Sequence, residues 1–99
     1  MFERIRKLID EGSYDVKMHA RKKMIDRKIK ISEVKEAIEN STIIEEYLDD
    51  KPLPTCLLYG DTLNQRPIHV VIALDEEVAA IITVYEPDTD KWIEFKRRR

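Results

Sequence analysis

The sequence predicts an α+β fold in which N-terminal helices pack on a four-stranded antiparallel sheet. Three observations carry this prediction. Apolar residues recur at helical spacing in the first forty residues, β-branched and aromatic runs dominate residues 42–85, and only 2 Gly and 4 Pro interrupt a chain of 99 residues. A chain of this length forms one hydrophobic core, so we expect a single domain over residues 1–99.

Three helices are predicted within residues 2–40. The first covers residues 2–11, because its apolar residues keep helical spacing until Gly12, a residue at which helices often stop. The second covers residues 19–29, which contain no helix breaker. The third follows Ser32, a suitable N-cap, and ends near residue 40.

Four strands are predicted within residues 42–85. They cover residues 42–48, 55–59, 67–74 and 78–85. The last two are separated only by Asp75–Glu77, which is the clearest hairpin signal in the sequence. Trp92, Ile93 and Phe95 precede a basic tail, Lys96–Arg99, and we expect this segment to pack and then to fray. With the helices on one face of this sheet, the other face is left open for function.

Composition argues against several classes of protein. Cys56 is the only cysteine, so neither an intramolecular disulfide nor a cysteine–histidine zinc site can form. We expect no metal and no cofactor. No apolar run approaches a signal peptide or a membrane span, so we expect a cytoplasmic protein without membrane contact. The sequence has no phosphate-cradling glycine loop, nucleophile elbow or catalytic triad.

The formal net charge of -2 conceals a segregation of charge. Residues 17–30 carry seven Lys or Arg against one acid, whereas residues 33–50 carry seven acids against one Lys. A basic block of this kind is an electrostatic footprint for nucleic acid, although it is also typical of a solvated helix face.

The basic block contains a regular stripe. His19, Lys23 and Arg27 recur at four-residue spacing, so they lie along one side of the second predicted helix. Lys23 and Arg27 can bind phosphate, and His19 can exchange protons near neutral pH. Met18, Ile25 and Ile29 lie roughly opposite, and we expect them to anchor the helix. The alternative is a helix N-terminal histidine without a function.

A second histidine, His69, interrupts an apolar strand. A three-residue loop in the predicted hairpin places His69 opposite Thr83, with Tyr85 one diagonal step away on the same face. A one-residue change in loop length would send Tyr85 to the opposite face. The alternative is that His69 hydrogen-bonds the Thr83 hydroxyl in a half-buried sheet. RNA cleavage without metal needs a base, an acid and cations, and these two histidines, Tyr85 and the basic stripe contain those types.

Several sequence blocks together resemble a known family. The blocks are His19–Arg27 with Ile29 and Ser32–Val34, Ile44–Asp50 with Pro52, Leu57–Gly60, Arg66–Val71, and Thr83–Tyr85 with Pro87–Asp88 and Trp92. In this order and spacing they resemble the small prokaryotic family catalogued as DUF4258, over about Tyr14 to Trp92.

That family is similar to RelE-, MqsR- and BrnT-like toxin ribonucleases, so the resemblance implies a RelE-like fold of the barnase–EndoU–colicin–RelE type. It implies a type II toxin-like, metal-independent endoribonuclease that acts on RNA, including ribosome-bound mRNA, with a cognate antitoxin encoded nearby. The implied catalytic residues are His19, His69 and Tyr85, and the implied substrate-binding residues are Lys23, Arg27 and Arg66. Lys23 stands where the family pattern usually has Arg. Lys keeps the positive charge but cannot make the two parallel hydrogen bonds that an Arg guanidinium makes to a phosphate.

Two other functions stay open at the level of sequence. The chain is alternatively a non-catalytic RNA- or protein-binding module of a toxin–antitoxin-like pair, which the pI of about 5.7 favours. In the other alternative it is a degenerate, inactive family member whose acidic residues 33–50 pair with its own or a neighbour's basic helix. The sequence does not predict the oligomeric state.

Overall fold

A computed structural model describes residues 2–99. Three helices and seven strands follow one another along these residues. They are α1 (Phe2–Asp10), β1 (Tyr14–Val16), α2 (Met18–Arg27), α3 (Ile31–Glu39), β2 (Thr42–Tyr47), β3 (Thr55–Asp61), β4 (Pro67–Leu74), β5 (Ala79–Tyr85), β6 (Trp92–Ile93) and β7 (Arg97–Arg98). The α+β class is therefore confirmed. No helix in this described part of the chain is long and apolar enough to cross a membrane.

The main sheet has five strands in the order β1-β5-β4-β3-β2, so the prediction of four strands was wrong. Strands β2 to β5 form the predicted antiparallel meander. The additional strand, β1, pairs in parallel with β5, where Tyr14 lies beside Ala79 and Val16 beside Ile81. The weak alternation of residues 14–18 is typical of either a short strand or an extended lead-in to the second helix, and the partner of β1 lies more than sixty residues further along the chain.

The helices cover one face of the sheet and form the main core with it. Their buried apolar residues are Ile5, Leu8, Ile9, Ala20, Val34, Ala37 and Ile38, and those of the sheet on the same side include Leu58, Val70, Ile72 and Val84. Helix α3 begins at Ile31 rather than after Ser32, because the Glu33 carboxylate accepts a hydrogen bond from the backbone N–H of Lys30 at 2.9 Å.

Helix α2 packs on the sheet through a different side from the one expected. Ala20 is fully buried, whereas Met18 and Ile25 are 73% and 78% exposed, so the prediction that these two anchor the helix was wrong. Ile29, the third predicted anchor, is buried just after the end of α2. Arg21 and Ile25 line a groove with Tyr14, whose ring packs against the helical core. His19 and Lys23 lie on the other side of Ala20, at about 100° and 60° around the helix axis. His19 and Lys23 therefore lie on the side of α2 that faces away from this groove.

The C-terminal segment covers part of the sheet face that the helices leave free, which we call the second face. The segment packs there as predicted, but it does not fray: it forms a hairpin in which Trp92 pairs with Arg98 and Ile93 with Arg97. Trp92 is only 4% exposed, because its ring packs against a side chain of β4. The face that the sequence left open is thus partly closed by residues 92–98, which we call the C-terminal hairpin.

Candidate functional site

His69 and Tyr85 are direct cross-strand partners on the second face. The β4–β5 loop has four residues instead of the predicted three, since Leu74 pairs with Ala79. The additional loop residue alone would have moved Tyr85 to the opposite face. A bulge at Ile82 adds a second one-residue shift that restores the face. The predicted meeting of His69 with Tyr85 is therefore confirmed, although the predicted pairing of His69 with Thr83 was wrong.

Both ring nitrogens of His69 have partners. Nδ1 lies 3.2 Å from the Tyr85 hydroxyl and Nε2 lies 2.6 Å from the carbonyl oxygen of Phe95. Since a carbonyl only accepts, Nε2 carries the hydrogen and Nδ1 accepts from the Tyr85 hydroxyl. The side chain is fully buried, and this burial lowers the pKa of His69 below its ordinary value of 6.5. The imidazole is therefore neutral at physiological pH.

An aromatic cage surrounds this imidazole. The His69 ring centroid lies 4.6 Å from that of Trp92, 5.2 Å from Tyr85 and 5.9 Å from Tyr59, each in an edge-to-face arrangement. Burial raises the pKa of Tyr85 and, with help from a hydrogen bond to Asp61, that of Tyr59. Both phenols consequently stay protonated and able to donate at neutral pH.

A bidentate ion pair lies beside the cage. Arg98 Nε and Nη2 donate to the Glu45 carboxylate at 2.8 and 3.0 Å, and the Arg98 guanidinium stands 4.7 Å from the Trp92 ring centroid. Hydrogen bonding to Glu45 raises the pKa of Arg98. The Tyr47 hydroxyl also donates to Glu45. Sequence reasoning missed both members of this pair, because it treated Glu45 as part of an acidic run and Arg98 as part of a fraying tail.

The second face continues from the cage into an open groove of about 690 Å³ beside the Pro52 loop. Val71, Ala73 and Ile82 are among its apolar lining residues, and Tyr47 lies at its border. Val71 follows His69 by two residues on the same face of β4, a separation of about 7 Å. The groove therefore begins one residue pair away from the cage.

The basic stripe on α2 is available to a ligand. His19 and Arg27 are exposed and Lys23 is half-buried. Across residues 2–99, none of the three side chains makes a hydrogen bond or ion pair with another group of the chain. The structure does not bring them into hydrogen-bond contact with His69 or Tyr85.

Arg66 has a different environment from the rest of the predicted site. Its guanidinium donates to the Glu86 carboxylate at 3.0 and 3.1 Å, to the Glu33 carboxylate at 3.2 Å, and to the carbonyl oxygens of Arg27 and Lys28 at 2.7 and 3.0 Å. These bonds join the end of α2 to α3 and to the end of β5. A phosphate would have to displace one of these partners to reach Arg66.

We expect Arg66→Lys to lower the free energy of unfolding by about 1–2 kcal/mol at pH 7, since Lys cannot keep the forked bonds and the site is partly screened by solvent. Hydrogen bonding, from Lys30 to Glu33 and from Arg66 to Glu86, lowers the pKa of each carboxyl below its ordinary 4.5. The resulting stability is present above pH 4.5 and is lost as the pH falls through the lower, folded-state values.

Urea unfolding between about pH 3 and pH 7 measures this effect, and the acid-side loss should be smaller in Arg66→Lys than in the wild type. Arg97→Lys is the matched control, because Arg97 is exposed. An equal loss in both variants would show that the Arg66 contacts contribute nothing.

Sequence comparison identifies the family of the chain. Residues 16–86 match the family described as Domain of unknown function (DUF4258), and this range is well over half of the chain. The chain belongs to the DUF4258 family. No curated protein and no solved structure matches it.

The DUF4258 match separates two parts of the site. It contains the α2 stripe, Glu45, Arg66 and the His69–Tyr85 pair, but it ends before the C-terminal hairpin. The residues that cover His69 therefore lie outside the matched DUF4258 region. Within residues 2–99, no group of three or more His, Cys, Asp or Glu side chains is arranged to hold a metal ion.

Proposed function

We propose that the protein is a metal-independent endoribonuclease whose reaction centre is the His69–Tyr85 pair beside the Glu45–Arg98 pair. One observation carries the proposal: a neutral imidazole, a protonated phenol and a guanidinium meet on one face of the sheet. These are the base, the acid and the cation that attack by a ribose 2′-hydroxyl on its own phosphate requires.

The proposed reaction balances with these groups. His69 Nδ1 takes the proton of the 2′-hydroxyl as the bond from the 2′-oxygen to phosphorus forms. The bond from phosphorus to the 5′-oxygen then breaks, and the 5′-oxygen takes the Tyr85 proton. The products are a 2′,3′-cyclic phosphate and a 5′-hydroxyl. Since Nδ1 and the Tyr85 oxygen are hydrogen-bond partners, the proton on His69 returns directly to Tyr85. Arg98 stabilises the charged phosphorane.

RNA reaches this centre only if the C-terminal hairpin moves, because the Phe95 carbonyl and the Trp92 ring cover His69. The hairpin turn is costly, since Glu94 and Phe95 have φ values of 52° and 64°, in the left-handed region that non-glycine residues rarely adopt. Strain in the closed turn reduces the free energy needed to open it. Opening would also release the Arg98 guanidinium from Glu45, and Arg98 acts on the phosphorane once the hairpin has closed again over the bound RNA.

The surroundings of the centre support RNA as the substrate. Within residues 2–99, neither Lys23 nor Arg27 forms an ion pair with a carboxylate, so these cations on α2 are available to hold the phosphate backbone. His19 is exposed on the same helix. The apolar groove beside Val71 has the size and lining to accept a nucleobase next to the cleaved phosphate. Arg66 acts through Glu33 and Glu86 as a positioning residue.

We extend the proposal to the biological setting that the family resemblance implies. Helices packed on one face of an antiparallel meander, with the reaction centre on the other, support a RelE-type toxin that acts on single-stranded or ribosome-bound RNA in the cytoplasm. A cognate antitoxin encoded nearby would then control it. Expression of the wild-type protein in a sensitive host should arrest growth.

Incubation of end-labelled single-stranded RNA with the pure protein in excess EDTA tests the proposal. We expect cleavage products that end in a 2′,3′-cyclic phosphate. Trp92→Ala should increase the rate, because it removes the side chain that packs the hairpin on His69. If neither the wild type nor Trp92→Ala cleaves RNA, the protein is not a ribonuclease of this kind.

A non-catalytic RNA-binding module is the second candidate, and the complete burial of His69 favours it. The same assay separates the two functions, since a binding module retards RNA in a gel and leaves it intact. Lys23→Gln combined with Arg27→Gln should weaken retardation and reduce its salt dependence. Lys7→Gln combined with Lys91→Gln is the matched control, because it removes the same charge from exposed positions away from α2.

A further inference from the structure

The two outer edges of the five-stranded sheet carry opposite charge. One comprises β1 and the flanking helix α2, and we call it the basic edge; it exposes Met18, Arg21, Lys22 and Ile25. The other comprises β2 and the following turn, and we call it the acidic edge; it exposes Glu46, Leu48, Asp49 and Asp50. Because β1 and β2 are the two end strands of the sheet, these edges can meet only between molecules.

The basic edge is apolar as well as charged. Met18 and Ile25 are 73% and 78% exposed, and Ile25 borders an open groove of about 450 Å³ whose floor includes Met24 and Ile29. Single exposed aliphatic residues are common on protein surfaces, but a group that adjoins an apolar groove marks a contact surface. Aliphatic side chains have no complement on a phosphate backbone, so this surface favours a protein over RNA.

The backbone of β1 also has an open side. Strand β1 uses the Ser13 carbonyl and the Lys17 N–H to bond β5, so Tyr14 and Val16 direct their backbone groups outward. The Val16 carbonyl accepts a hydrogen bond from Arg21 Nε at 3.0 Å. Within residues 2–99, neither the Tyr14 N–H nor the Val16 N–H donates a hydrogen bond to an acceptor outside the main sheet. An uncovered edge strand of this kind can accept another chain.

We propose that the basic edge of one molecule docks on the acidic edge of a second copy, so that the protein associates head to tail. The acidic edge has the matching composition, since Leu48 is 62% exposed and carboxylates flank it on both sides. The contact joins two different surfaces, so each docked pair keeps one free edge of each kind. It uses the side of α2 that faces away from His19 and Lys23, and it does not depend on RNA cleavage.

Sedimentation velocity of the wild-type protein at concentrations up to about 1 mM tests the association. We expect dimers and larger species at about 0.05 M salt and at least a tenfold weaker association at about 0.5 M salt, because charge complementarity between exposed groups is screened. Ile25→Ser with Lys22→Ser should abolish association through the basic edge. Glu46→Ser with Leu48→Ser should do so through the acidic edge.

Mixing these two variants provides the decisive measurement. Each is expected to be monomeric alone, whereas an equimolar mixture should form dimers and nothing larger, because each variant keeps one intact and complementary edge. Leu63→Ser with Lys91→Ser is the matched control, since Leu63 is 73% exposed, and it should associate like the wild type. Monomeric wild-type protein, unchanged association of either edge variant, or an equal loss in the control would each overturn the proposal.

Discussion

RNA cleavage is expected to fall by about two to four orders of magnitude when His69 is replaced by glutamine, the usual size of a general acid–base contribution. The glutamine amide N–H can still donate to the Phe95 carbonyl, and its length lets it occupy much of the same volume. The substitution therefore removes the titratable imidazole while it keeps the donor that closes the hairpin. Initial rates in EDTA, at equal enzyme concentration and pH 7, measure the loss.

Tyr59→Phe is the matched control for this variant. The Tyr59 ring packs on His69, but its hydroxyl donates to Asp61 at 3.1 Å and not to the imidazole. We expect Tyr59→Phe to cleave at the wild-type rate. If His69→Gln is folded and cleaves RNA as fast as the wild type, the reaction centre does not lie on this face of the sheet.

A pH profile of stability separates a burial effect from a catalytic one. Because burial lowers the pKa of His69, the unfolded chain takes up this proton first as the pH falls below 6.5. The contribution of the neutral imidazole is therefore complete above pH 6.5 and declines as the pH falls toward the lower, folded-state value. His69→Gln should remove this decline, even if the protein proves to have no ribonuclease activity.

The parts of the structure predicted well depend on local patterns. Apolar spacing located α1 and α3, the absence of helix breakers located α2, and the β-branched runs located the four strands of the meander, because each pattern is set by neighbours in sequence. The prediction that His69 contacts Tyr85 was right, but the strand register from which it was made was wrong. The longer loop and the bulge at Ile82 are two one-residue shifts that cancel, and neither has a signal in the sequence.

The parts that were missed depend on contacts between distant residues. Glu45 and Arg98 are 53 positions apart, and a basic tail gives no indication that one of its side chains returns to the sheet. The environment of Arg66 depends on Glu33 and Glu86 from two other elements. Arg66 was predicted as a phosphate ligand because a sequence does not distinguish an arginine whose guanidinium is free from one whose guanidinium is fully hydrogen-bonded.

The fold should be most sensitive to substitution where α3 crosses β3. A Cβ atom on Gly60 would lie 1.9 Å from the carbonyl oxygen of Ala37 and 2.8 Å from its carbonyl carbon. Both atoms belong to the backbone of a helix, so no side-chain rotation can relieve the clash. We expect Gly60→Ala to lower the free energy of unfolding by about 3 kcal/mol or more, the upper end of overpacking effects.

Gly12→Ala isolates the role of close packing in this result. Gly12 has a φ of +78° and no atom within 4 Å of an added Cβ, so alanine there costs only about 1 kcal/mol, from its left-handed backbone. Urea unfolding followed by the fluorescence of Trp92 compares the two variants, and equal losses would contradict the packing argument.

Because α3 also carries Glu33, a shift of α3 off β3 should loosen Arg66 and with it the end of β5 that holds Tyr85. Gly60→Ala is therefore expected to lower RNA cleavage as well as stability, whereas Gly12→Ala should leave cleavage unchanged.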